Sequence, residues 1–153
     1  YEAAIAFADD KPIRPGLAEF IDFLDSQQIP FHVVSGGLKG MVERVLQREN
    51  LLQRVASVTA VEVDTSEEKM IVPPQRFEGD SELVAKVQVI QHYTDGETIA
   101  IGDSLTDVNM ALYVQHIFAR DRLVQYLETA NKPYLPWTDF RDIHNTLQHQ
   151  WQP

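Results

Sequence analysis

The sequence contains no cysteine. That absence removes disulfides, thiolate metal sites and thiol nucleophiles together, and it suits a reducing, cytoplasmic compartment. Cationic residues are scarce: 13 Lys and Arg stand against 23 Asp and Glu, a formal net charge of -10. Such a balance argues against general affinity for nucleic acid or for anionic membrane. No apolar run approaches the roughly 18 residues of a membrane span. Histidines are few and form no close ligand pair; His144 and His149 are five apart, off a common helical face, so no histidine metal site is expected. What remains is 153 residues, 44% hydrophobic and 24% charged, without internal repeats, enough for one globular domain with a proper core. The first residue is Tyr rather than Met, which leads us to expect a segment of a longer product.

Strand-like apolar runs alternate with segments of helical period, the pattern of an open parallel α/β sheet covered by helices. Leu17, Phe20, Ile21, Phe23 and Leu24 recur at helical spacing, and Pro30 marks the stop before a short strand over 31–34. Ser35-Gly36-Gly37 then turns into a helix bearing Met41, Val42, Val45 and Leu46. Residues 57–63 read as a strand, with 69–72 returning against it as a small β-hairpin insertion through the polar loop 64–68; Pro73 and Pro74 keep that return strand out of a sheet centre. Ser81 is a candidate N-cap for a helix through Leu83, Val84, Val87 and Ile90. The best strand, 98–101, runs into Gly102-Asp103-Ser104-Leu105-Thr106-Asp107 and a helix with Val108, Met110, Ala111 and Leu112. A strand at 116–119 and two helices near 122–130 and 139–150 complete the chain, the helices being separated by the proline-broken turn 133–136.

Ligands of open parallel sheets bind beyond the carboxyl ends of the strands. Three features sit there or reach there. Ser35-Gly36-Gly37 offers a hydroxyl and two unhindered N–H groups at a helix start, a phosphate cradle, with the plainer alternative of a serine cap and a glycine turn. In the stretch 102–107, a glycine allows a sharp turn and Asp107 lies one helical turn from Asp103, so both acids can serve one side. Hard cations such as Mg²⁺ take carboxylate oxygens; the alternative is helix capping, which needs only one of these residues. Lys86 precedes that strand on a helix, and by itself reads as a solvated lysine. Trp137 and Trp151 read as packing residues.

In succession, the strand ending in Ser35-Gly36-Gly37, then Lys86, then the strand ending in Gly102-Asp103-Ser104-Leu105-Thr106-Asp107 resembles motifs two, three and four of the haloacid dehalogenase superfamily of phosphohydrolases. The Ser-Gly-Gly looks like its phosphoserine-phosphatase-like branch, and residues 29–37, 118–121 and 135–140 are similar to that branch's methionine-salvage phosphatases. The likeness runs from about Ile13 onward. It implies a Rossmannoid three-layer α/β sandwich, with 1–12 the tail of a helical cap and 13–153 the core. It implies a phosphomonoester hydrolase that uses Mg²⁺ and an aspartyl-phosphate on a small phosphorylated metabolite. Ser35, Gly36 and Gly37 would bind the phosphoryl group, Lys86 would neutralise it, Asp103 would hold Mg²⁺, and Asp107 would support the metal waters or Lys86. Such roles suit phosphoryl transfer, which is mostly positioning and charge stabilisation.

The family's first motif, an apolar strand ending in Asp-x-Asp, has no counterpart in a suitable place. The nearest run, 3–11, ends in Asp9-Asp10-Lys11, where adjacent acids diverge on a strand and Lys11 stands at the second acid's position. We therefore expect residues 2–8 to be helical and the nucleophile strand to lie upstream. In the family's sheet that strand separates the strand ending at Val34 from the one ending at Ile101 by about two spacings, roughly 10 Å. Open central edges are costly, so the chain alone is expected to fold poorly and to turn over negligibly. The competing expectation is a non-catalytic member that binds phosphate or a partner protein. A Rossmann-like nucleotide binder is disfavoured, since no Gly-x-Gly-x-x-Gly follows a strand. Nothing in the pattern marks an oligomer interface.

Overall fold

The computed structural model describes residues 1–66 and 70–150 and divides into two compact units, one of residues 1–85 and one from Lys86 onward. The first contains α1 (Glu2–Ala6), α2 (Leu17–Ser26), β1 (His32–Leu38), α3 (Lys39–Arg48), a 3-10 turn (Leu52–Arg54) and β2 (Ser57–Val61). Helix α2 starts at Gly16, whose φ of 90° is open to glycine, and buries Leu17, Phe20, Ile21 and Leu24 at the expected spacing. Phe20 meets Phe31 edge-on with ring centres 6.0 Å apart, which ties the helix to the entry of β1.

Strands β1 and β2 run parallel, with His32 opposite Ser57, Val33 opposite Val58 and Val34 opposite Thr59. The register breaks after Val34 and resumes with Leu38 opposite Val61. Ser35-Gly36-Gly37 thus forms an irregular stretch inside β1, where a turn out of the strand was expected. Leu38, on returning to the ladder, keeps the chain extended until α3 begins. Among the described residues β1 has a ladder on one side only.

Residues 2–6 are helical, and Asp9 follows a helix rather than a strand. Its carboxylate pairs with Arg44 of α3, and Arg48 donates to the carbonyls of Ala8, Asp9 and Lys11 at 3.2, 2.8 and 2.6 Å. Asp9-Asp10 is therefore anchored as a helix exit.

Two further expectations for this unit are corrected. The hairpin shrinks to one antiparallel bridge, Asp64 to Ile71, with N–H to carbonyl distances of 2.7 and 3.0 Å; Pro73 and Pro74 lack the donors to extend it, and residues 67–69 lie outside the described residues. No helix begins at Ser81. The Ala85 N–H, which a helix would direct to Ser81, donates instead to the Phe77 carbonyl, and Gly79 N–H donates to the Glu82 carbonyl at 2.8 Å. The helix starts five residues later, at Lys86.

The second unit contains α4 (Lys86–Tyr93), β3 (Ile99–Gly102), a 3-10 turn (Leu105–Asp107), α5 (Val108–Tyr113), β4 (His116–Ala119), α6 (Asp121–Thr129), β5 (Leu135–Pro136) and α7 (Phe140–Gln150). Its sheet is parallel in the order β3-β4-β5, with Gly102 opposite Ala119 and Ala119 opposite Pro136. The two residues of β5 come from the stretch expected to be only a turn; Pro136 is tolerated because it sits on an edge, where no further N–H is needed. Ala100, Ala111, Ile117, Leu123 and Leu127 form the core. Small residues on β3 and α5 allow close helix-to-sheet approach, and the carboxyl ends of β3 and β4 are left to carry polar side chains. Among the described residues no helix is long and apolar enough to cross a membrane.

Candidate active site

The chemistry of the second unit gathers where β3 ends. Gly102 closes the strand, and the 3-10 turn that follows brings Asp107 back beneath it. A Cβ on Gly102 would lie 2.9 Å from both Cβ and Oδ2 of Asp107, closer than side chains pack, so only glycine admits the turn in this form. Asp107 Oδ2 accepts the N–H groups of Asp103 and Ser104 at 3.0 and 3.1 Å. Asp107 Oδ1 accepts the Lys86 ammonium at 2.5 Å. Lys86 Nζ also reaches the carbonyl and hydroxyl of Thr106 at 3.3 and 3.4 Å.

Lys86 is 6% exposed and Asp107 8%, which corrects the reading of Lys86 as a solvated lysine. Its position as the first residue of α4, one end of a helix packed on α5, carries it inward. Burial pushes the Asp107 carboxyl up, but the Lys86 ammonium and the two N–H groups outweigh it and hold the group below the usual carboxylate range. Ser104 and Asp107 also form a capping box around the 3-10 turn. The expected capping is thus present, and the Asp107 side chain serves both the cap and the ion pair with Lys86.

Asp103 is half-buried at the strand end. Both peptide groups beside it are bonded, through Asp107 on the N–H sides and through the N–H groups of Arg120 and Leu123, each 3.3 Å from the carbonyls of Gly102 and Asp103. The Trp137 indole N–H adds a second bond to the Gly102 carbonyl at 3.0 Å. Trp137 is buried, as expected of a packing residue, but it also donates; Trp151 lies outside the described residues. Thr106, Arg120 and Trp137 were missed as members of this cluster. For Trp137 a signal existed, since a buried indole N–H needs an acceptor.

Ser35, Gly36 and Gly37 belong to the first unit. The Ser35 hydroxyl oxygen accepts the Gly37 N–H at 3.0 Å, which leaves its own O–H to donate. The residue preceding α3 is Leu38, without a side-chain cap, so Ser35 is not the helix cap. A Cβ on Gly36 would meet nothing within 4 Å, so its backbone faces open space. A cleft of this unit, about 610 Å³, is lined by Lys39, Gly40, Glu43, Glu62 and Asp64 among others, with Ser35 through Gly37 outside its lining. With Lys39 bonded to Glu62 at 2.8 Å and further acids around it, that cleft is unsuited to an anion.

Two expected results follow from the second-unit geometry. In the full-length protein, Gly102→Ala should displace Asp107 from Lys86 and lower the melting temperature by several degrees, because roughly 1–3 kcal/mol of overpacking converts to about 2–4 °C per kcal/mol for a protein of about 150–250 residues; an unchanged melting temperature in a thermal scan would show that the turn relaxes freely. The second concerns acid. A carboxyl with a depressed folded pKa contributes stability that is complete above its unfolded value, about 3.9, and is lost as pH falls through the folded value. Urea unfolding of the full-length protein between pH 5 and 2.5 should therefore show a steeper loss in the wild type than in Asp107→Asn. Parallel curves would contradict the role of this pair.

A family profile described as haloacid dehalogenase-like hydrolase matches residues 1–114. The chain is 49% identical over 147 residues to a Microcystis aeruginosa protein named 2-hydroxy-3-keto-5-methylthiopentenyl-1-phosphate phosphatase, covering 96% of this chain and 70% of that one. A protein of the same name from Bacillus thuringiensis (strain Al Hakam) is 33% identical over 143 residues, 90% of this chain and 64% of that one. In fold, the crystal structure of a phosphoserine phosphohydrolase-like protein from Francisella tularensis subsp. tularensis SCHU S4 matches with a TM-score of 0.68 at 17% identity, over 95% of this chain and 69% of that one.

Proposed function

The chain belongs to the haloacid dehalogenase-like hydrolases, and from that premise we propose that it carries the phosphoryl- and cation-handling residues of a phosphatase for a small phosphorylated metabolite. The favoured substrate is 2-hydroxy-3-keto-5-methylthiopentenyl-1-phosphate, on the strength of the 49% identity to a relative so named, with phosphoserine next. The observation that carries the reading is the buried Lys86–Asp107 pair at the end of β3 beside Asp103. An ammonium fixed in a protein interior offsets phosphoryl charge far better than one in water.

In this reading the Ser35 O–H and the Gly36 N–H donate to phosphoryl oxygens, with Gly37 keeping the Ser35 oxygen in place. Lys86, held by Asp107, faces the same class of charge. Asp103 is the protein carboxylate for Mg²⁺. Among the described residues no three His, Asp or Glu side chains cluster to hold a metal. One partly exposed carboxylate still fits Mg²⁺, which commonly takes one or two carboxylates and completes its shell with water and substrate oxygens. When bound, the ion supplies charge neutralisation on the phosphoryl oxygens. No Asp-x-Asp occurs among these 153 residues, and in this reading the attacking and protonating acids lie outside them. Residues 1–12 belong, in the same reading, to the tail of a helical cap and 13–153 to the core.

The test is hydrolysis of both esters by the full-length protein, with Mg²⁺ and with a chelator. We expect kcat/KM for the methylthiopentenyl ester to exceed that for phosphoserine by about tenfold or more, activity to vanish on chelation, and residues 1–153 alone to be inert. Equal rates on the two esters would overturn the substrate, and robust Mg²⁺-dependent turnover by 1–153 would overturn the outside nucleophile. The missing acid pair favours one other reading, a non-catalytic binding module, which predicts phosphate binding without turnover in the full-length protein.

A further inference from the structure

We propose that Trp137 and Arg120 act as positioning residues for Asp103, setting the affinity of its carboxylate for the cation; the proposal rests on the assignment of Asp103 to Mg²⁺. A side chain leaves the backbone along a direction fixed by the two peptide planes beside its Cα, and at Asp103 both planes are tied. The plane of residues 102 and 103 is held at its N–H by Asp107 Oδ2 and at its carbonyl by Arg120 N–H and Trp137 Nε1–H. The plane of residues 103 and 104 is held at its N–H by Asp107 Oδ2 and at its carbonyl by Leu123 N–H.

Of these partners, Arg120 N–H continues the parallel ladder, Asp107 lies in the 3-10 turn after β3, and Leu123 N–H lies in the first turn of α6. Trp137 belongs to none of these. A carbonyl oxygen has two lone pairs; the ladder fills one at Gly102, and the indole N–H, in a buried bond of 3.0 Å, fills the other. The indole is itself placed by Arg120. Its guanidinium carbon lies 5.4 Å from the ring centre, it donates to the Thr138 carbonyl next to Trp137, and its Nε is 3.1 Å from Asp121 Oδ2. Asp121 turns the chain after β4 with a φ of 54°, in the left-handed region that Asp tolerates better than most residues. Two segments far apart in sequence thus meet on the carbonyl one residue before the metal ligand. Packing alone asks for an aromatic ring at 137; the aimed N–H is what an orienting role adds.

The experiment is Mg²⁺ titration by calorimetry of the full-length, substrate-free protein, together with the Mg²⁺ dependence of turnover. Trp137→Phe keeps the ring and removes the N–H. It should weaken Mg²⁺ binding by about tenfold, the lower end of what outer partners of metal ligands contribute, raise the half-saturating Mg²⁺ in parallel, and leave KM for the ester at saturating Mg²⁺ within about twofold. Arg120→Lys keeps the main-chain bond and loses the guanidinium; it should weaken Mg²⁺ in the same direction, and it stands in if the tryptophan variant does not fold. Asp103→Asn should abolish the calorimetric signal. If that variant loses Mg²⁺ while the folded Trp137 or Arg120 variant binds as tightly as the wild type, the positioning role is wrong and the metal assignment stands. If Asp103→Asn binds Mg²⁺ like the wild type, the metal assignment itself fails and the proposal goes with it.

Discussion

Asp103→Asn is expected to lower phosphatase turnover by about three orders of magnitude, the effect of removing one preorganised charge from a phosphoryl-transfer site, while the melting temperature stays within a few degrees. The two effects separate because of what Asn preserves. It has the shape of Asp, and the bonds that hold this position run through main-chain atoms of Gly102, Asp103 and Ser104 to Asp107, Trp137, Arg120 and Leu123. What Asn lacks is the full negative charge that a hard cation requires. Parallel assays of kcat at saturating Mg²⁺ and of thermal unfolding in the full-length protein decide the matter. Turnover within about threefold of wild type, a loss of under 1 kcal/mol by transition-state arithmetic, would remove Asp103 from the reaction.

The alternation of strands and helices was legible because each element carries its own period: Leu17, Phe20, Ile21 and Leu24 for α2, and an uninterrupted apolar run for β3 whose every second residue is buried. Strand β4 was legible to its ends. Failures came where a distant partner outbid local chemistry. Ser81 looks like a cap, yet the Phe77 carbonyl captures the Ala85 N–H that the cap's first turn would use. Leu135 and Pro136 read as a turn until Phe118 and Ala119 offer a ladder. The glycines after Ser35 suggest a chain leaving its strand, but the pairing of Leu38 with Val61 keeps it there.

The site was legible as a set of residue types and illegible as a network. Spacing suggests that Asp107 can reach back to Asp103, and the turn that forms brings the Asp107 carboxylate to the Asp103 N–H around a glycine that a methyl group would block. Spacing says nothing of Lys86, twenty-one residues before Asp107, because its burial depends on where α4 begins and on the close packing of α4 and α5. The same holds for Trp137, which meets Gly102 only because β5 joins the sheet. Charge gave no warning either: in a chain of net charge -10, a lysine on a helix is ordinarily solvated.

The burial of Lys86 leads to the second large expected effect. Lys86→Met should abolish turnover and also destabilise the protein by about 3–5 kcal/mol, because it leaves the Asp107 carboxylate buried without its cation. Asp107→Asn should cost a similar amount by stranding the ammonium. At roughly 2–4 °C per kcal/mol for a protein of about 150–250 residues, either variant of the full-length protein should melt about 6–20 °C lower. The double variant, Lys86→Met with Asp107→Asn, separates folding from chemistry. Its Asn oxygen can still accept the N–H groups of Asp103 and Ser104, and neither charge remains to be compensated, so most of the lost stability should return. Activity should not return, since nothing then offsets phosphoryl charge at that position. A double variant as unstable as the singles would mean that the side chains matter here as packing rather than as a charge pair, and recovered turnover would take Lys86 out of the reaction.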